Sequence, residues 1–128
     1  MDIVIQTSAS EPVYEQIVRQ IHAAVKSGKL KPDTPLPTVR QLAGDLVINR
    51  NTVARAYRIL EEQGVILTAG RKGTFIRQDA VREVAHVRMS RAERVIRRVV
   101  RTLLGEGLSR KEIADIFTTA LSVEARKG

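Results

Sequence analysis

The sequence predicts a mainly α-helical chain with one small β-hairpin and a helical tail, on three observations. Apolar residues recur at helical spacing in five separate stretches. Two short runs rich in β-branched residues, VILT and TFIR, flank the glycine-bearing segment AGRKG. Capping and breaking residues stand where these stretches begin and end.

The first stretch is EPVYEQIVRQIHAAVKSG. Val13, Tyr14, Ile17, Val18, Ile21, Ala24 and Val25 make a helical stripe, and Gly28 is placed to close it. KLKPDTPLP follows, and Pro32, Pro35 and Pro37 make it a loop of fixed shape. Thr38 is an N-cap for a short second helix, VRQLAGDL, whose apolar face is Val39, Leu42, Ala43 and Leu46. A tight connection through Val47 and Ile48 leads to Asn49, the N-cap of a third helix that ends near Gly64. VILT and TFIR then pair as a hairpin with a basic tip. Three helices and a hairpin in this order predict a winged helix-turn-helix, with the second and third helices as the turn-linked pair.

Beyond Asp79 two more helices are expected, over roughly 80–104 and 110–125. In the first, Ala92, Val95, Ile96, Val99, Val100, Leu103 and Leu104 form a wide apolar stripe. GEG at 105–107 is a break, and Ser109 with Glu112 makes a capping-box pattern. The last helix carries Ile113, Ile116, Phe117, Ala120 and Leu121 on its apolar side. Two helices cannot bury so wide a stripe alone, so a second copy of the chain is expected to cover it. The expected organisation is a winged helix-turn-helix domain over 1–78 and a two-helix dimerisation domain over 79–128.

Composition narrows the function. The 128 residues are 43% hydrophobic and 28% charged, with a formal net charge of +8, which fits a globular chain with an anionic partner. Residues 1–79 carry net +3 and residues 80–128 net +5, so the tail is the more basic part. The chain has no cysteine, which excludes disulfides, thiolate metal sites and thiol catalysis. No apolar run approaches the ~18–20 residues that span a bilayer, and MDIVIQTSASEP lacks the basic start and apolar core of a signal peptide. A cytoplasmic protein is expected. His22 and His86 stand apart from any carboxylate cluster, and no pair of carboxylates is arranged for catalysis. No enzyme activity, metal or cofactor is expected, and nothing in the sequence names a small-molecule effector.

The third helix, in INRNTVARAYRIL, has an unusually polar front. Val53, Ala56, Tyr57 and Leu60 share about one third of the helical wheel and form a core face. Asn51, Ala54, Arg55, Arg58 and Glu62 lie opposite, Arg55 as a further candidate for nucleic-acid contact, with Arg50 and Thr52 on the flanks near the N-terminus. Capping explains Asn49 but not Arg50, Asn51 and Thr52. Arginine suits guanine, asparagine suits adenine, and threonine can meet a thymine methyl or a phosphate. At the hairpin tip, Gly70 and Gly73 allow close backbone approach, while Arg71 and Lys72 supply charge without sequence information. Arg40 sits near the positive end of the second helix, an unfavourable place for a cation unless a phosphate is close by. In the tail, Arg91, Arg94, Arg98 and Arg101 line one helix face, either as a solvated surface or as a contact to flanking DNA.

Taken together, LPxxRxLA at 36–43, RNTVxRAYxxLxxxG at 50–64 and GxxGTF at 70–75 resemble the GntR family of bacterial transcription regulators, over roughly residues 11–77. The resemblance implies DNA contacts from Thr38, Arg40, Asn49, Arg50, Asn51, Thr52 and Gly73. Thr38 stands where serine is common, Asn49 where serine or threonine is common, and Val47 where glycine usually makes the turn. Ala54 replaces a basic contact residue of some members. Most members add a large metabolite-binding domain, whereas the two-helix tail is similar to the YtrA-like subfamily, which dimerises through it. The expectation is a homodimeric repressor binding a palindromic operator in double-stranded DNA. A protein-interaction module and a non-specific architectural DNA binder remain as other readings of the same residues.

Overall fold

The computed structural model describes residues 1–127, and its contacts divide the chain into two units, Met1–Arg88 and Met89–Gly128. The first unit contains α1 (Val13–Ser27), β1 (Pro35–Leu36), α2 (Val39–Leu46), α3 (Arg50–Glu62), β2 (Ile66–Thr68) and β3 (Thr74–Ile76). Helix α4 (Ala80–Gly105) runs through the division, and α5 (Arg110–Lys127) lies in the second unit.

Helices α1, α2 and α3 form where the apolar spacing predicts them. Ile17, Ile21 and Val25 of α1 meet Leu42 and Ala43 of α2 and Val53, Ala56, Tyr57 and Leu60 of α3 in one buried cluster. Val65, Ile66 and Ile76 close it from the hairpin side. Thr38 caps α2 in a reciprocal box: its hydroxyl accepts from the Gln41 N–H (3.0 Å), and Gln41 Oε1 accepts from the Thr38 N–H (2.9 Å).

Helices α2, α3 and α4 end in the same way. A residue one or two positions beyond each helix takes left-handed backbone and the next N–H reaches back five residues: Ile48 to Ala43 (3.0 Å), Val65 to Leu60 (3.0 Å) and Leu108 to Leu103 (3.1 Å). Gly64 (φ +78) and Gly107 (φ +95) occupy two of these corners, but Val47 (φ +55) occupies the third. A β-branched side chain is costly there. The turn between α2 and α3 thus keeps the geometry that a glycine would give, with strain at Val47.

The hairpin pairs Ile66 with Ile76, Leu67 with Phe75 and Thr68 with Thr74. A third strand joins it: Pro35 pairs with Phe75 and Leu36 with Thr74, giving the antiparallel order β1-β3-β2. The proline-rich loop expected over 29–37 therefore contains an edge strand. An edge tolerates prolines because their missing N–H groups can lie on the unpaired side.

Residues before α1 are also held. Val4 N–H donates to Gln20 Oε1 (2.9 Å) and Gln20 Nε2 donates to the Val4 carbonyl (2.7 Å). Gln16 does the same for Gln6, with both bonds at 2.9 Å, and also donates to the Glu11 carbonyl. The arm thus runs beside α1 as against a neighbouring strand, with Ile3 in the core. Gln16 is the one buried polar side chain among the described residues, and these three bonds satisfy it.

Ala80 and Val84, in the first turns of α4, belong to the same core. The division at 78/79 expected from the change in composition falls at the start of this helix, whereas the compact units part at Arg88. Burial of Ala80 and Val84 is the reason. In the second unit Ser109 and Glu112 form the expected capping box, at 2.9 and 3.1 Å. These bonds hold the exposed Glu112 carboxyl below its usual pKa.

Candidate nucleic-acid interface

Helix α3 is anchored by its inner face and free along its outer one. Val53, Ala56 and Leu60 are fully buried. Tyr57 is buried too, and its hydroxyl donates to the Pro37 carbonyl at 2.7 Å, tying α3 to the loop before α2. Burial pushes this phenol's pKa upward, so it stays a donor. With the helix fixed in this way, Arg50 and Asn51 are exposed at its first turn and Thr52 is half-buried.

Asn49 is the N-cap, as expected: its side-chain oxygen accepts from the Asn51 N–H at 2.7 Å. Arg40, Ala43, Gly44, Val47, Ile48, Asn49 and Arg50 line an open groove at the turn between α2 and α3. Two guanidinium groups, Arg40 and Arg50, thus border one concavity. The Thr38 hydroxyl oxygen serves as a cap acceptor, which leaves its O–H free to donate.

Arg55 has a role that spacing does not reveal. Its guanidinium lies 3.9 Å from the centroid of the Tyr14 ring, stacked on α1. The side chain is still exposed, so α1 sets its direction while its outer face remains open to solvent.

The hairpin tip is a single 3₁₀ turn, Gly70–Lys72. Gly73 has φ +102 and ψ −160, a conformation that belongs essentially to glycine. A Cβ at Gly73 would meet only the edge of Phe75, at 4.0 Å, so backbone conformation rather than space requires glycine. Arg71 and Lys72 are exposed on this turn. Thr68, at the base of the wing, donates to Glu61 of α3 at 3.1 Å.

Most cations among the described residues stand outside ion pairs. The ion pairs among the described residues use Arg19, Arg77, Arg82, Arg97 and Lys127. None involves Arg40, Arg50, Arg55, Arg58, Arg71 or Lys72. Positive charge without an ion-pair partner therefore stands on the turn, the front of α3 and the wing, as it also does at Lys26, Lys29 and Lys31 and along α4. No group of His, Asp or Glu suited to a metal ion occurs among the described residues, and no helix is long and apolar enough to cross a membrane. His22 donates through Nε2 to Gln63 Oε1 at 2.7 Å, joining α1 to the end of α3, and burial lowers its pKa.

In the second unit the expected dimerisation residues fall into two sets. Ile113 is buried and Val100, Leu103 and Phe117 are half-buried. Val95, Ile96, Val99, Leu104, Ile116, Ala120 and Leu121 are exposed, Leu121 by 73%.

Three features of the site escape sequence reasoning: the Arg55–Tyr14 stack, strand β1 beside the wing, and the Glu61 link. Each depends on a partner distant along the chain. The Thr38–Gln41 box was readable, since glutamine three residues after an N-cap threonine is its signature.

Comparison with known proteins shows the family. Residues 13–76 match the family described as bacterial regulatory proteins, gntR family. The chain is 49% identical over 72 residues to the HTH-type transcriptional regulator Rv1152 of Mycobacterium tuberculosis, covering 56% of this chain and 60% of that relative. It is 35% identical over 98 residues to the HTH-type transcriptional repressor YtrA of Bacillus subtilis, covering 77% of this chain and 75% of the repressor. Among solved structures, a transcriptional regulator from Oenococcus oeni superposes with a TM-score of 0.67 at 34% identity, over 92% of this chain and 98% of that one. The DNA-binding domain of AraR, solved in complex with operator ORX1, superposes with a TM-score of 0.52 at 28% identity, over 59% of this chain and 95% of the domain.

Proposed function

The chain belongs to the gntR family of bacterial regulatory proteins, and from that premise we propose that it represses transcription in the cytoplasm as a homodimer on a palindromic DNA operator. The observation that carries this reading is the front of α3, where Arg50 and Asn51 are exposed on a helix whose Val53, Ala56 and Leu60 are fully buried. A helix anchored this way presents its first turn to the major groove. Arg50 pairs with guanine O6 and N7, Asn51 with adenine, and Thr52 with a thymine methyl or a phosphate. Thr38 and Arg40 hold a phosphate at the start of α2, where the helix dipole alone disfavours the arginine. Asn49 orders the turn as a cap. Arg55, steadied by Tyr14, adds a backbone phosphate contact.

The wing adds affinity. Gly73 lets the backbone approach the sugar-phosphate wall, and Arg71 and Lys72 contribute charge. The exposed Val95, Ile96, Val99, Leu104, Ile116, Ala120 and Leu121 join Val100, Leu103, Ile113 and Phe117 in an interface with a second copy. Its two-fold axis would match the symmetry of the operator. The relatives' names support regulation and, for YtrA, repression.

A footprint on the DNA upstream of the chain's own gene would give the site and its symmetry. On that site Arg50→Ala should cost about 1–3 kcal/mol and relax selection at one base pair in each half-site. Equal losses on operator and scrambled duplexes would show that Arg50 does not read bases.

A further inference from the structure

Arg91, Arg94, Arg98 and Arg101 lie in the part of α4 that belongs to the second unit. At 3.6 residues per turn they fall within about 80° of one another, along about 15 Å of helix axis. All four are exposed. The ion pairs found on α4 use other cations, Arg82 and Arg97. The apolar stripe from Val95 through Val99 to Leu104 occupies the other side of the helix.

An ordinary solvated helix face mixes charges, because like charges three or four residues apart destabilise the helix. This ridge has three such pairs in succession and no acidic residue between them on the same face. A line of opposite charge would relieve the repulsion. One DNA strand carries a phosphate for about every 3.4 Å of duplex axis, so about 15 Å of axis presents about four phosphates. Guanidinium is also the side-chain group best shaped for a phosphate, through paired N–H donors.

We infer that this ridge binds the phosphate backbone of duplex DNA outside the bases read by α3. The inference rests on the reading of the chain as a dimeric operator-binding protein and extends its contact surface beyond the operator's half-sites. The contact is electrostatic and indifferent to the flanking sequence.

The test uses the full-length protein and a variant carrying R91Q, R94Q, R98Q and R101Q, since glutamine keeps a good helix propensity. Circular dichroism and sedimentation establish that helix content and oligomeric state are unchanged. A milder variant, R94Q with R98Q, serves if the fourfold one misfolds. Each protein is titrated at several salt concentrations against a short duplex limited to the two half-sites and against a long one extended on both sides.

The ridge predicts that wild type and variant bind the short duplex alike. On the long duplex the variant should bind at least tenfold more weakly. Its plot of log affinity against log salt should be shallower by about 0.9 for each phosphate contact removed. Changing the flanking sequence should alter neither result. Equal slopes on the long duplex overturn the inference, as does an equal loss on both duplexes, which would place the arginines in the half-site contact or the dimer. If wild type alone sediments with phosphatidylglycerol vesicles while the long-duplex slopes agree, the ridge belongs to an anionic membrane surface and the inference fails. Failure of wild type to bind either duplex overturns the operator reading itself.

Discussion

In the first unit, each main apolar face meets another element of the same chain: Ile17 and Ile21 of α1, Val53 and Leu60 of α3, and Val65 and Ile66 beside them are fully buried. In the second unit, helices that also carry an apolar stripe leave Val95, Ile96, Val99, Ile116 and Leu121 exposed. Both stripes are written in the same residue types at the same spacing. Amphipathic periodicity therefore fixes which side of a helix will be covered, but not by what. The first unit covers its own, and the second leaves much of its stripe exposed.

The comparison can be tested from both sides. Leu60→Ala should destabilise the first unit by about 2–5 kcal/mol, because it removes a fully buried side chain from a closed core. Chemical denaturation followed by helix signal measures this, and a loss below about 1 kcal/mol would mean the core is loosely packed. Ile96→Glu combined with Val99→Glu should leave that core intact but weaken the proposed dimer by at least about 3 kcal/mol, at roughly 1.5 kcal/mol or more per apolar side chain. Sedimentation velocity reads it directly. A dimer of unchanged strength would show that this stripe is covered by something else.

Smaller effects concern how the first unit holds its shape. Val47→Gly should stabilise by up to about 1 kcal/mol, because the left-handed conformation costs valine about 1–2 kcal/mol and glycine's entropy returns part of that. The side chain is 87% exposed, so its removal loses almost no packing. An unchanged or lower melting temperature would contradict the strain at this turn. The smallest effect belongs to His22, whose pKa is lowered by burial. The folded state then binds fewer protons than the unfolded one, so the His22 contribution is complete above about pH 6.5 and is lost as pH falls. His22→Gln should flatten the decline of stability between about pH 7 and 5. Parallel curves for the two proteins would exclude His22 as its source.

Much of this architecture was legible in the sequence because it is locally determined. The caps at Thr38, Asn49, Gly28 and Ser109 with Glu112, the spacing of the helices and the polar front of α3 all depend on neighbours within a few residues. Pro35 and Leu36 read as loop because their strand partner, β3, lies some forty residues away in sequence. Arg55 read as a DNA-contact candidate, and its stack on Tyr14 stayed hidden because that ring belongs to α1. The change in composition at residue 79 suggested a boundary that Ala80 and Val84 cross, since a helix can begin in one unit and continue into another.

The clamp of Gln16 and Gln20 on the N-terminal arm has a consequence for which substitutions the chain can absorb. Each amide reads the backbone of the arm and ignores the side chains at positions 4 and 6, so those two positions are free to drift while Ile3 keeps its place in the core. The glutamines themselves have no such latitude. A carboxylate of the same shape offers no N–H and would set a negative charge against the Val4 or Gln6 carbonyl. Glutamine to glutamate, an exchange often silent on a surface helix, would here act as a release catch that sets the first residues of the chain loose.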